Sequence, residues 1–319
     1  MLFNSVDFIY LFLPCVVAAY MLLRRLPQAG LLGMFAAFSL VFYGWHNPET
    51  LLLILTSVLV NFAGNSILGQ HEGAWRGRKA VLARFIAFNL ITLGFYKYAT
   101  FFASNIPSFQ GYAVYFEGIV LPLAISFFTF QQIACLVDTY REQRWTMSAF
   151  EYLFFITFFP QLIAGPIVHH KEMLPQFAAP ETLVPKARNF AIGLSIFAIG
   201  LFKKTVVADS LSGYVGPVYD DPGVVASLDF FRAWGGTLAY TFQLYFDFSG
   251  YSDMAIGLGM MMGFRFAENF NQPYLAQSVT EFWQRWHMTL ADFLRDYVYM
   301  PMVRKRMAGM LVALDRKSV

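Results

Sequence analysis

Histidine is the side chain best placed to move a proton near neutral pH, and the chain has five of them. One stands in a stretch that could hold it in a defined way. His287 lies within Ser278-Val279-Thr280-Glu281-Phe282-Trp283-Gln284-Arg285-Trp286-His287-Met288-Thr289-Leu290-Ala291-Asp292-Phe293-Leu294-Arg295-Asp296-Tyr297. Ser278 with Glu281 three residues on is the pattern of a capping box, so the spacing predicts a helix starting there. At about 100° per residue, Phe282, Trp283, Trp286, Leu290, Phe293, Leu294 and Tyr297 share an apolar arc. Glu281, Gln284, Arg285, Asp292, Arg295 and Asp296 form the opposite arc, and His287 falls at the edge of the apolar one. Apolar neighbours keep an imidazole neutral. A neutral imidazole can take the proton of a hydroxyl that attacks an acyl carbonyl. The same placement also suits a histidine that is merely hydrogen-bonded in a helix interface.

The other polar candidates are weaker. Asp247, Ser249, Tyr251 and Asp253 interrupt a long apolar run near 233–264. Acids at membrane depth are costly unless protein or water surrounds them, so this stretch is expected to be a broken or re-entrant element facing a cavity. The alternative is a loop between two short tilted helices. His46 follows an aromatic cluster and reads as interfacial, and His71 sits in a basic loop. His169-His170 is expected not to hold a metal, because adjacent helical residues do not share a face. Cys15 and Cys135 lie in apolar runs without metal spacing and read as buried thiols. The sequence contains no nucleophile elbow, phosphate loop, zinc-protease motif or dinucleotide fingerprint. Gly257, Gly259 and Gly263 suit close helix packing better than phosphate binding.

These residues must be positioned by helices made for a bilayer. Of 319 residues, 57% are hydrophobic and only 13% are charged, against roughly 25% charged in a soluble domain. A net charge of +3 speaks against a nucleic-acid partner. A span needs about 20 apolar residues. Windows near 6–23, 30–45, 51–69, 81–96, 115–137, 149–168 and 188–202 qualify or come close, besides the long run. The first reads as a retained span and not a cleaved signal. Arg24-Arg25, Arg76 to Arg84, Arg141 with Arg144, and Lys203-Lys204 mark alternate connections as inner ones, which places the N-terminus outside.

Several strings carry a family resemblance. They are Leu121-Pro122-Leu123-Ala124-Ile125-Ser126-Phe127-Phe128-Thr129-Phe130-Gln131-Gln132, Phe159-Pro160-Gln161-Leu162-Ile163-Ala164-Gly165-Pro166, Gln243 to Gly257 around Asp247 and Asp253, and Glu281-Phe282-Trp283-Gln284-Arg285-Trp286-His287-Met288-Thr289-Leu290. With Phe3-Asn4-Ser5, Phe12-Leu13-Pro14 and Gly94 to Tyr98, the chain resembles the alginate O-acetyltransferase branch of the membrane-bound O-acyltransferases, over nearly all of 1–301.

The resemblance implies an all-α polytopic membrane bundle with a central tunnel, in the bacterial inner membrane. It implies transfer of an acetyl group to hydroxyls of an exported polysaccharide such as alginate. His287 would be the catalytic residue, as a base or as a donor-positioning group. Asp247, Ser249, Tyr251, Asp253, Trp286 and Arg285 would be tunnel or substrate-positioning candidates. No bound cofactor is expected. Acetyl-CoA is the implied co-substrate, and envelope or periplasmic acetylation proteins are implied partners. The family's second histidine, in a Leu-Trp-His-Gly string, is absent, and residues 302–319 form a basic tail unlike the family. The domain is therefore expected to be 1–301 and incomplete. The competing readings are an inactive, truncated remnant and, from another class, a transporter or flippase.

Overall fold

The computed structural model describes residues 1–45, 47–70, 77–106, 116, 118–163, 165–220, 223 and 228–303. His46 and His71 lie outside them, as does most of the tail. All regular structure among the described residues is helical. Two compact units emerge. Unit 1 comprises Met1–Val58, Leu121–Phe128 and Met147–Ala267, and unit 2 comprises Leu59–Val120, Thr129–Thr146 and Glu268–Val319.

Unit 1 begins with α1 (Phe8–Leu23, opening on a π turn) and α2 (Gln28–Gly44). The helix α3 (Glu49–Gly69) starts in this unit and ends in unit 2. The apolar run at 149–168, expected to be a span, is instead two short helices, α6 (Ala149–Thr157) and α7 (Phe159–Leu162). Nine residues rise only about 14 Å, half of a hydrocarbon core. The run is apolar because protein encloses it: Phe154, Phe155, Ile156, Phe158, Phe159 and Leu162 are at most 1% exposed. Apolar character all round a helix is shared by spans and by core helices. A full capping box starts α6: the Ser148 hydroxyl accepts from Glu151 N–H at 3.2 Å, and the Glu151 carboxylate accepts from Ser148 N–H at 2.8 Å. After α8 (His170–Ala178) comes α9 (Ala187–Phe202), which passes through a π turn (Lys203–Ala208) into α10 (Asp209–Tyr219). Together they form one helix of 33 residues.

That helix packs against α11 (Phe230–Met261), which is continuous for 32 residues. The expected break at Asp247–Asp253 is therefore absent. Two glycine contacts set the crossing. A Cβ on Gly257 would lie 2.5 Å from the Gly193 carbonyl oxygen, and one on Gly200 would lie 2.5 Å from that of Gly250. The glycine-rich stretch thus serves close packing, as its spacing predicted. The end of α11 is set by Gly263 at φ +93, whose Cβ would collide with the Thr182 carbonyl, while Phe264 N–H returns to the Gly259 carbonyl at 2.8 Å. This is the geometry of a left-handed helix stop.

Unit 2 holds the end of α3, α4 (Arg78–Asn105) and most of α5 (Ile125–Glu142). The window at 115–137 becomes helical only from Ile125, after Pro122 and a left-handed Ala124 (φ 59). Arg78 is buried and caps two helices, donating to the carbonyls of Leu68 at 3.0 Å and Tyr140 at 3.2 Å. Buried Asn61 and Asn89 exchange amide hydrogen bonds, and the Thr139 hydroxyl donates to Asn65. Among the described residues, three helices are long and apolar enough to cross a membrane, Glu49–Gly69, Arg78–Asn105 and Ala187–Tyr219. Of the two cysteines, Cys135 is buried as expected, but Cys15 is exposed.

Candidate active site

The predicted helix from Ser278 begins where expected. The Ser278 hydroxyl accepts from Glu281 N–H at 3.1 Å. The Glu281 carboxylate reaches Gln277 N–H at 2.7 Å, one residue earlier than a strict capping box requires. The helix does not continue to Tyr297. It ends as α12 (Val279–Arg285), and a second helix, α13 (Met288–Phe293), follows. Trp286 is extended, and His287 stands in the left-handed region at φ 46, ψ 54. That conformation costs a non-glycine residue on the order of 1–2 kcal/mol, so something must hold it.

The segment Asn269–Asn271 does so. In a continuous helix, Met288 N–H would seek Gln284 and the Arg285 carbonyl would serve Thr289. Here Met288 N–H donates to the Asn269 carbonyl at 2.9 Å, and the Arg285 carbonyl accepts from Asn271 N–H at 2.9 Å. Thr289 N–H and the Thr289 hydroxyl point to the side-chain oxygen of Asn269, at 3.4 and 3.0 Å. The backbone groups released by the break are thus satisfied by one loop. Asn269 is 1% exposed, and its Oδ1 also lies 2.9 Å from His287 Nδ1.

His287 is therefore not on the edge of a helical arc. It is the residue between two helices. A row of rings leads to it: Tyr274 stacks on Phe282 at 6.0 Å, Phe282 on Trp286 at 5.5 Å, Trp286 meets Phe270 edge-on at 5.1 Å, and Phe270 lies 6.3 Å from the imidazole. Burial among these groups pushes the imidazole pKa down to about 4, so the ring is neutral at physiological pH. His287 lies outside the three candidate spans. Its Nδ1 lies against an amide oxygen, the setting of a hydrogen-bonded imidazole.

Trp286 and Arg285 adjoin His287, as the sequence order requires, but Arg285 is occupied: its guanidinium pairs with Glu281 at 2.5 Å. Asp247, Ser249, Tyr251 and Asp253 belong to unit 1 and have their own setting there. Asp247 pairs with Lys204 at 2.7 Å and Asp253 with Lys203 at 2.6 Å. Ser249 is buried in α11, and the Tyr251 ring stacks on Phe3 at 4.7 Å. The two lysines, expected in an inner loop, sit instead within a continuous helix. Carboxylates and ammonium groups thus compensate each other where both would otherwise be costly. His169 and His170, expected to face apart, have ring centroids 4.6 Å apart, because His169 is an extended N-cap and not a helical residue. Asn269 and Thr289 were missed. The run of amides Asn269, Asn271 and Gln272 before Pro273 was the available signal, since such residues hold backbone turns.

Comparison with known proteins bears on what this arrangement belongs to. The chain is 40% identical to the peptidoglycan O-acetyltransferase of Helicobacter pylori, over 98% of its own length and 64% of that protein. It is also 40% identical to the "Probable alginate O-acetylase AlgI" of Pseudomonas aeruginosa, over 94% of its length and 56% of the relative's. A more distant similarity, 29% identity over 57% of the chain, links it to the teichoic acid D-alanyltransferase of Bacillus subtilis. The chain thus spans less than two thirds of the length of the first two relatives. The family model for MBOAT, the membrane-bound O-acyltransferase family, matches residues 41–314 and so includes α12, the His287 break and α13, and the chain belongs to that family.

Proposed function

We propose that this chain carries part of an O-acetyltransferase acting on hydroxyls of an exported or envelope glycan, alginate or peptidoglycan, and that His287 is its base. The observation that carries the reading is the uncharged, partly buried imidazole held in a backbone break by Asn269. The donor is a thioester of the acetyl-CoA kind. The glycan hydroxyl oxygen attacks the acyl carbonyl carbon while its proton passes to the imidazole. The tetrahedral intermediate collapses, the C–S bond breaks, and the imidazolium returns the proton to the departing thiolate. A tunnel of the kind the family resemblance implies would bring donor and acceptor together from opposite sides of the bacterial inner membrane. Arg24-Arg25, Arg78 to Arg84 and Arg141 with Arg144 support an outside N-terminus. Lys203 and Lys204 lie within a helix and mark no connection. Envelope proteins that present the polymer are the expected partners.

The test is acetyl transfer in membranes carrying the protein, with alginate and peptidoglycan as separate acceptors. His287→Ala should lower kcat about 10²- to 10⁴-fold at unchanged protein level. Undiminished transfer by the variant would remove His287 from the chemistry. Whichever acceptor gains acetyl groups names the substrate.

A further inference from the structure

Asn269 Oδ1 is surrounded by three potential partners: Thr289 N–H at 3.4 Å, the Thr289 hydroxyl at 3.0 Å and His287 Nδ1 at 2.9 Å. A main-chain N–H can only donate, so the atom it meets is the amide oxygen and not the amide nitrogen. The hydrogen positions follow from that count. An oxygen acceptor beside Nδ1 requires the proton to be on Nδ1. The neutral ring then carries its lone pair on Nε2.

We propose that Asn269 is the positioning residue of this site: its side-chain carbonyl holds the His287 imidazole as the Nδ1–H tautomer, so that Nε2 is the nitrogen that receives the acceptor proton. The inference rests on the reading of His287 as base. Asn269 does this with a side chain that is 1% exposed and a main-chain carbonyl that also binds Met288 N–H. One residue therefore takes part in both the backbone break and the ring orientation. The charged side chains of α12 and α13 are paired. Glu281 pairs with Arg285 on α12, and Asp292 pairs with Arg295 beyond α13 at 2.6 Å. Glu268, next to Asn269, is exposed. An amide, which carries no charge, leaves the ring neutral. A carboxylate in the same place would accept the same hydrogen bonds and favour the imidazolium.

The test compares wild type, Asn269→Asp, Asn269→Leu and His287→Ala, each in the 319-residue chain. The first readout needs no turnover: the rate at which diethyl pyrocarbonate modifies the His287 peptide, followed by mass spectrometry across pH, reports the unprotonated ring. Asn269→Asp should move the midpoint up by at least one pH unit, and the acid limb of kcat should move with it. Asn269→Leu should lower kcat tenfold or more, with KM within about threefold. An unmoved midpoint in Asn269→Asp overturns the role of Asn269 even if His287→Ala is inactive. Full turnover by His287→Ala removes the base and leaves the Asn269 contact to stand or fall on the midpoint alone.

Discussion

In unit 1 the interior is ring against ring, with Phe158 on Phe264 at 4.9 Å and Phe12 on Phe159 at 5.2 Å, whereas in unit 2 Asn61 meets Asn89 and Thr139 meets Asn65. The buried amide, imidazole and charged side chains follow the same division. Gln161 and His170 are in unit 1; Asn61, Asn65, Arg78, Asn89, Gln131, Gln132, Asp138 and Asn269 are in unit 2. Aromatic packing is tolerant of chemistry but not of lost volume. A polar interior has directional bonds, and each group needs its partner. The candidate base lies in the polar unit, where orientation can be specified to a single atom.

Three experiments probe this contrast. Phe159→Ala, at a 0% exposed position among the rings of Phe8, Phe12 and Phe42, should cost about 3–5 kcal/mol. Thermal unfolding in detergent measures it, and a loss under about 1 kcal/mol would mean that the rings do not form a close-packed core. Next is Tyr297→Phe in unit 2. The Tyr297 hydroxyl donates to the buried carboxylate of Asp138 at 2.8 Å. Its removal should cost about 1.5–3 kcal/mol, and an unchanged midpoint would show that bond to be idle. The smallest effect belongs to the amide pair between α3 and α4. A double-mutant cycle with Asn61→Leu and Asn89→Leu should give a coupling of about 0.6–2 kcal/mol. Strict additivity would make the two amides independent and erase the distinction between the interiors.

What could be read from the sequence was local. Ser278 and Glu281 sit within one turn, so the start of α12 was visible. The end of α12 depends on Asn269 and Asn271, some sixteen residues earlier, so the helical arc ran on through His287 in the reading and not in the molecule. The acids of α11 looked like a break because acids at membrane depth are costly alone, and their compensating lysines lie on another helix. Periodicity within one segment carries no information about a partner forty to fifty residues away. The run at 149–168 was ambiguous for another reason: a helix buried in protein and one buried in lipid have the same composition.

The glycine contacts between α9 and α11 reach beyond packing. Gly193 and Gly200 are seven residues apart, as are Gly250 and Gly257, and Gly193 meets Gly257 and Gly200 meets Gly250 backbone to backbone. No rotamer intervenes that could take up an error. The seam therefore works as a ruler: slipping one helix along the other by a single turn would drive a side chain into a carbonyl. The same ruler fixes where Lys203 and Lys204 arrive opposite Asp253 and Asp247, so the charge matching inside unit 1 is set by residues that carry no charge and no side chain.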